Sequence, residues 1–258
     1  PLLKSYQYTA ALDYEFDDKN FTAIDRFRTV EFDRNWSANT ESLAQDQILN
    51  AQIGVSKDIL NKIDYKFSYR LRESEVDGTQ HHLIFNKKIN FIQLNTKYFS
   101  LQNQGFASRS EWQRLETEIY LHHKKIKPAY VYSVDRNSVI YSANDSIIAT
   151  ANNFEEHRFY IQQGDSSKSA FKIDYAIRKD NLPQFGELKP NSEAQTLQVS
   201  GKTKVKNNHF SWNFTWRELS NLDSLKTKNE TIMGRLDWRG NWLKNHIKSS
   251  LTFTTNTS

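Results

Sequence analysis

Seven histidines and several closely spaced carboxylates are the residues of this chain whose types could do chemistry. His81-His82 and His122-His123 are adjacent pairs. Neighbours on an extended strand point to opposite faces, so neither pair can chelate a metal by itself. His157 follows Glu155-Glu156 and could join a carboxylate site only if the fold brought another segment alongside. Asp13/Glu15 and Glu116/Glu118 lie two apart, which on one strand face separates their Cβ atoms by roughly 7 Å. That spacing is compatible with the two-carboxylate geometry of glycoside hydrolysis, but any polar strand face also produces it. His246 with Ser249 or Ser250 could form the Ser/His pair of an outer-membrane phospholipase, yet nothing in the sequence marks a serine as activated. No His-Glu-x-x-His, Gly-x-Ser-x-Gly or P-loop pattern occurs. With no cysteine there is no thiolate ligand, thiol nucleophile or disulfide framework. The expectation is a non-enzyme with no catalytic residue, no cofactor and no metal.

The elements that carry these residues read almost entirely as strands. Polar and apolar residues alternate with period 2 nearly everywhere, and a helical period is almost nowhere found. In the stretch 209–218, Phe210, Trp212, Phe214 and Trp216 share one side, opposite Ser211, Asn213, Thr215 and Arg217. The same alternation sets Tyr6, Tyr8, Tyr14 and Phe16 apart from Asp13 and Glu15. It also sets Tyr65, Phe67 and Tyr69 against Lys66 and Arg70, and Phe171 and Tyr175 against Lys172 and Asp174. Near the end, Trp238 and Trp242 oppose Arg235, Asp237 and Arg239. About fourteen strands are predicted: 4–16, 21–33, 47–57, 62–74, 80–86, 89–102, 111–123, 128–136, 155–163, 169–179, 193–206, 209–218, 230–241 and 245–256. The segments 21–33 and 89–102 carry apolar residues on both sides, which predicts bulges or a register change there.

Short and long connections alternate along the chain. The long ones are expected at 34–46, 137–154, 180–192 and 219–229. An up-and-down antiparallel meander gives that pattern when one end of the sheet differs in use from the other. Outer-membrane barrels have this polarity, and Greek-key sandwiches do not. No amphipathic helix is available to cover the apolar face. A barrel of this size with that face inward would enclose a core too wide to fill. Turned outward into a bilayer, the same face leaves every backbone group paired by closure. On this reading Asp13, Glu15, Lys66, Arg70, Arg114, Glu116, Glu118, Lys172, Asp174, Lys202, Lys204, Arg235, Asp237 and Arg239 line a lumen. Tyr6, Tyr8, Tyr14, Phe16, Tyr65, Phe67, Tyr69, Phe171, Tyr175, Phe210, Trp212, Phe214, Trp216, Trp238 and Trp242 then face lipid, with Trp36 and Trp112 also near strand ends.

Long strands rich in Tyr and Trp, together with segments such as "VEFDRNW" (30–36), "YAIRKDNLP" (175–183) and "MGRLDWRGNWLKNHI" (233–247), resemble the large outer-membrane β-barrel proteins of the Bacteroidota. The likeness is one of style across nearly the whole chain and rests on no diagnostic motif. It implies a role in transport, secretion or envelope assembly, with the outer membrane as location and the lipid bilayer as first partner. Other envelope proteins would meet the long loops. Asp145-Ser146-Ile147 and Asp223-Ser224-Leu225 resemble that phylum's O-glycosylation pattern, which makes Ser146 and Ser224 candidate sites. Two features depart from such barrels: nothing resembles a plug domain, and the sequence closes on "SLTFTTNTS" instead of a terminal aromatic. The expected unit is one barrel domain over 1–258, or a segment of a larger barrel, excised or matured with any targeting segment removed. The alternative is a soluble or surface-exposed all-β binding module, at the cell surface or in the periplasm, with its aromatic face packed internally. The charge of +5 is spread among acids and does not cluster, which argues against nucleic acid as a partner.

Overall fold

The computed structural model describes residues 6–19, 45–73, 76–105, 108–122, 126–141, 146–148, 153–165, 169–184, 187–206, 208–222, 227–242 and 247–257. The expected strand 21–33, Trp36 and most of loop 34–46 lie outside them, as does Ser224. Every element described is a strand: β1 (Gln7–Asp17), β2 (Asp46–Asp58), β3 (Asn61–Arg72), β4 (Val76–Ile89), β5 (Ile92–Gln104), β6 (Ser108–Leu121), β7 (Ile126–Tyr141), β8 (Ser146–Ile148), β9 (Asn153–Asp165), β10 (Ser169–Gln184), β11 (Glu187–Val205), β12 (Asn208–Asn221), β13 (Lys228–Trp242) and β14 (Ile247–Thr257). They form one antiparallel sheet in sequence order, with the short β8 paired to β7 beside the main path.

Thirteen strands lie on that path, an odd number, so the two edge strands β1 and β14 run in the same direction. Among the described residues the sheet is not closed: β1 and β14 do not pair.

One end of the sheet is made of tight connections. Residues 59–60, 90–91 and 206–207 each join a hairpin there. Asn90 and Lys206 adopt left-handed backbone (φ 54 and 53), the conformation that two-residue hairpins require. At the 59–60 turn the Asp58 carboxylate accepts from the Leu60 amide (2.8 Å) and the Asn61 side chain (3.0 Å). The Asn61 bond, above all, holds the Asp58 carboxyl below the ordinary carboxylate value. The opposite end is less uniform. The segment 180–192, expected as a loop, is instead strand: β10 and β11 pair up to Gln184 and Glu187, with a bulge at Asp180/Asn181. Likewise β7 runs on to Tyr141, and β12 and β13 shorten the connection expected over 219–229 to residues 222–227. The expected bulge within 89–102 is absent, since β4 and β5 pair without a register shift. Its two-sided apolarity has another cause: Phe99 and Leu101 turn to the polar face, where they pack with Val76 and Trp112.

No second layer covers the sheet among the described residues. Most contacts between elements run between sheet neighbours, with a minor approach of β8 to β11. The accessible surface is 17944 Å², where a compact monomer of this mass exposes about 12,000 Å². Leu12 is 75% exposed, Ile53 63% and Trp212 36%.

Candidate functional site: the two faces of the sheet

The ladder registers place residues on faces without ambiguity, because directly paired residues share a face and neighbours alternate. All fourteen charged residues predicted for a lumen fall on one side. The row His82–Phe99–Arg114–Asp135–Phe154–Asp180 illustrates that side across six strands. Of the predicted aromatics, Tyr8, Tyr14, Phe16, Tyr65, Phe67, Tyr69, Phe171, Tyr175, Phe210, Trp212, Phe214, Trp216 and Trp238 occupy the other side. Tyr6 precedes β1, and Trp242 pairs with Ile247 at the end of β13. Trp112, which the sequence placed near a strand end, belongs to the polar face, where its indole donates to Asp135 (2.8 Å).

The apolar face is banded. Starting from the tight-turn end, β12 presents Phe210, Trp212, Phe214 and Trp216, then turns polar at Glu218. β10 presents Phe171, Ile173, Tyr175 and Ile177 before Lys179, and β13 presents Trp238, Leu236 and Ile232 before Glu230. β6 gives Leu121, Ile119 and Leu115 before Gln113 and Glu111, and β4 gives Ile89, Phe85 and Leu83 before His81, interrupted at Lys87 beside the turn. Four alternate positions cover about 20 Å of strand. The polar boundary is knitted together: Trp216 donates to Glu230 (2.5 Å), Lys228 pairs with Glu218 (2.7 Å), and Tyr132 donates to Glu155 (3.2 Å). Two Tyr–His pairs recur at this level, Tyr65 with His81 and Tyr130 with His157, each joined from the hydroxyl to Nδ1 at 2.7 Å. Within the band, Trp212 lies against Gly201 on β11, where a Cβ would overlap the indole.

The polar face carries a cavity of about 630 Å³ over β6, β7, β9 and β10. Charged side chains line it, several of them tied to aspartates on the same or the next strand. Asp135 accepts from Arg114 Nε (2.9 Å) and Nη2 (2.7 Å). Asp174 accepts from Arg158 Nε (2.8 Å) and pairs with Lys172 (2.7 Å). Arg178 bonds Asp180 (2.8 Å) while stacking over Phe154, its Cζ 4.0 Å from the ring centre. The two glutamates whose spacing suggested glycosidase chemistry are engaged separately: Glu116 with Lys97 (3.1 Å), Glu118 with Tyr160 (2.5 Å) and Asn95 (3.0 Å). Near the opposite end of the ladder Asp46 holds fully buried Arg70 (2.6 Å) and, further off, Arg72 (3.7 Å). Among the described residues no three His, Asp or Glu side chains gather as metal ligands. Sequence reasoning missed the cross-strand Arg–Asp partnerships, whose members lie 16 to 24 residues apart in sequence and meet only through register.

No family model matches the chain. It is similar, at 27% identity over 109 residues, to the uncharacterized protein UU166 of Ureaplasma parvum; the match covers 42% of this chain and 11% of that protein. The chain therefore spans a small part of the relative it matches. No solved structure matches.

Proposed function

We propose that the chain forms a large part of a bacterial outer-membrane β-barrel, working in transport, secretion or envelope assembly through a charged, water-filled lumen. The observation that carries this reading is the apolar band. It begins at the tight-turn end and runs for about 20 Å before turning polar on β4, β6, β10, β12 and β13. On β1 and β3 the face stays apolar as far as Phe16 and Leu71. A band of that height suits the hydrocarbon layer around a membrane barrel. Tyr130, Tyr132, Tyr175 and Trp216 at its upper limit occupy the level at which aromatic rings favour headgroups. The tight turns correspond to the periplasmic end, and the charged face to the lumen.

The same-direction edges add a condition. Antiparallel closure between β1 and β14 is impossible, so an odd number of further strands must stand between them in a closed barrel. The sheet is then an arc of a larger ring. On this reading the bilayer is the first partner, and the loops at the far end meet other envelope proteins or the medium.

Fractionation tests it. The protein should sediment with membranes, require detergent for release, and migrate faster on a denaturing gel when left unboiled. Release by salt as a monodisperse soluble species would overturn the reading in favour of a soluble or surface-exposed binding module.

A further inference from the structure

We infer that the polar face of β11–β13, at the tight-turn end, is a binding site for a phosphate-bearing solute. Over β6–β10 this face matches aspartates with cations, as in Asp135 with Arg114 and Asp174 with Arg158. On this part of β11–β13, among the described residues, only Arg235 is matched, with Asp237. Lys204 lies directly opposite His209, and His209 directly opposite Arg239, so three basic side chains stand in one row across adjacent strands. Lys202 stands on the same face two residues further up β11. Lys202, Lys204 and Arg239 are exposed and make no ion pair among the described residues. Lys204 and Arg239 thus flank His209 on either side of one row, with no carboxylate between them.

The chain itself has little to offer as a partner anion. From Ala194 to Arg217 there is no Asp or Glu, nor from Gly240 to Ser258. Asp237, on the intervening strand, is engaged by Arg235 (2.8 Å). The row also adjoins a built space. A cavity of about 300 Å³ is lined by Lys172, Lys202, Ser200, Ser211 and Gln162, with Phe171 in its wall. Ser211 pairs directly with Lys202, and Ser200 with Lys172, whose ammonium is already held by Asp174, so Lys202 is the ammonium left over beside two hydroxyls. Lys202 beside Ser200 and Ser211 suits an anionic group, and Arg239, in the basic row next to the cavity, offers the forked geometry that phosphate favours. The volume accommodates a solute of about one phosphorylated sugar. The site lies on the face opposite the apolar band, so it stands whether or not that band meets lipid.

The test is calorimetric titration of the purified full chain in non-ionic detergent at low salt with inorganic pyrophosphate. Saturable binding is expected, weakened at least tenfold in Lys204→Gln/Arg239→Gln and in Lys202→Gln. It should be unchanged in Lys66→Gln, a cation on the same face of β3. No saturable binding, or equal weakening by Lys66→Gln, would overturn the site. Equal affinity for succinate would overturn the assignment of a phosphate. Capture of phosphatidylglycerol vesicles through Lys204 and Arg239 would replace the solute with a lipid headgroup. That result would overturn both the solute and the membrane orientation proposed above, whereas pyrophosphate binding by a chain that proves soluble would overturn the orientation alone.

Discussion

Two stretches of the same polar face treat charge differently. Over β6–β10, Arg114 and Arg158 each meet an aspartate on the adjacent strand, and the carboxylates are nearly buried: Asp135 is 4% exposed and Asp174 6%. Over β11–β13, Lys202, Lys204 and Arg239 stand in solvent opposite serine or histidine. The first arrangement ties strands together and leaves little charge over. The second contributes nothing to the ladder and leaves positive potential at one end of the face. Ionic residues on a sheet can thus be divided, by partnership alone, into those that hold the structure and those available to something outside it.

Removing members of each class should sharpen that division. Arg70→Ala, which strips the guanidinium from the most buried ion pair, should cost about 3–5 kcal/mol because Asp46 keeps a desolvated charge. Asp135→Ala frees Arg114 and the Trp112 indole together; since Arg114 is itself half exposed, about 2–3 kcal/mol is expected. Gly201→Ala tests the other face: the new methyl must displace Trp212, costing about 1–2 kcal/mol as the indole swings outward. Lys204→Gln should change stability by less than about 0.5 kcal/mol, since its side chain is exposed and lies opposite His209. Chemical denaturation of each variant in the same detergent checks all four. A loss at Lys204 equal to that at Asp135 would erase the distinction between the two stretches.

The faces were legible in the sequence, because alternation survives wherever the two sides of a strand meet different surroundings. Phe171, Ile173, Tyr175 and Ile177 against Lys172, Asp174 and Arg178 is such a case, and the ladder keeps that parity. Beyond Ile177 the signal disappears. Lys179, Asp180 and Asn181 are polar on both sides, so the stretch read as a loop although the hydrogen-bonded ladder continues through it. A strand wet on both faces has no hydrophobic period to display. Phe99 and Leu101 misled in the opposite sense: a small apolar cluster on the polar face imitated a register change. Partner identities such as Arg158 with Asp174 were out of reach, because they depend on register and not on spacing along the chain.

The account rests on the oily side of the sheet touching hydrocarbon, and depth-resolved quenching reads that contact directly. Phe214→Cys and Asn213→Cys, adjacent positions on opposite faces in a chain without native cysteine, would each carry a bimane label in vesicles containing brominated lipids. The account predicts strong quenching at 214, deepest for bromines near the bilayer centre, and none at 213. Equal quenching at both positions, or none at 214 in vesicles that retain the protein, would contradict it.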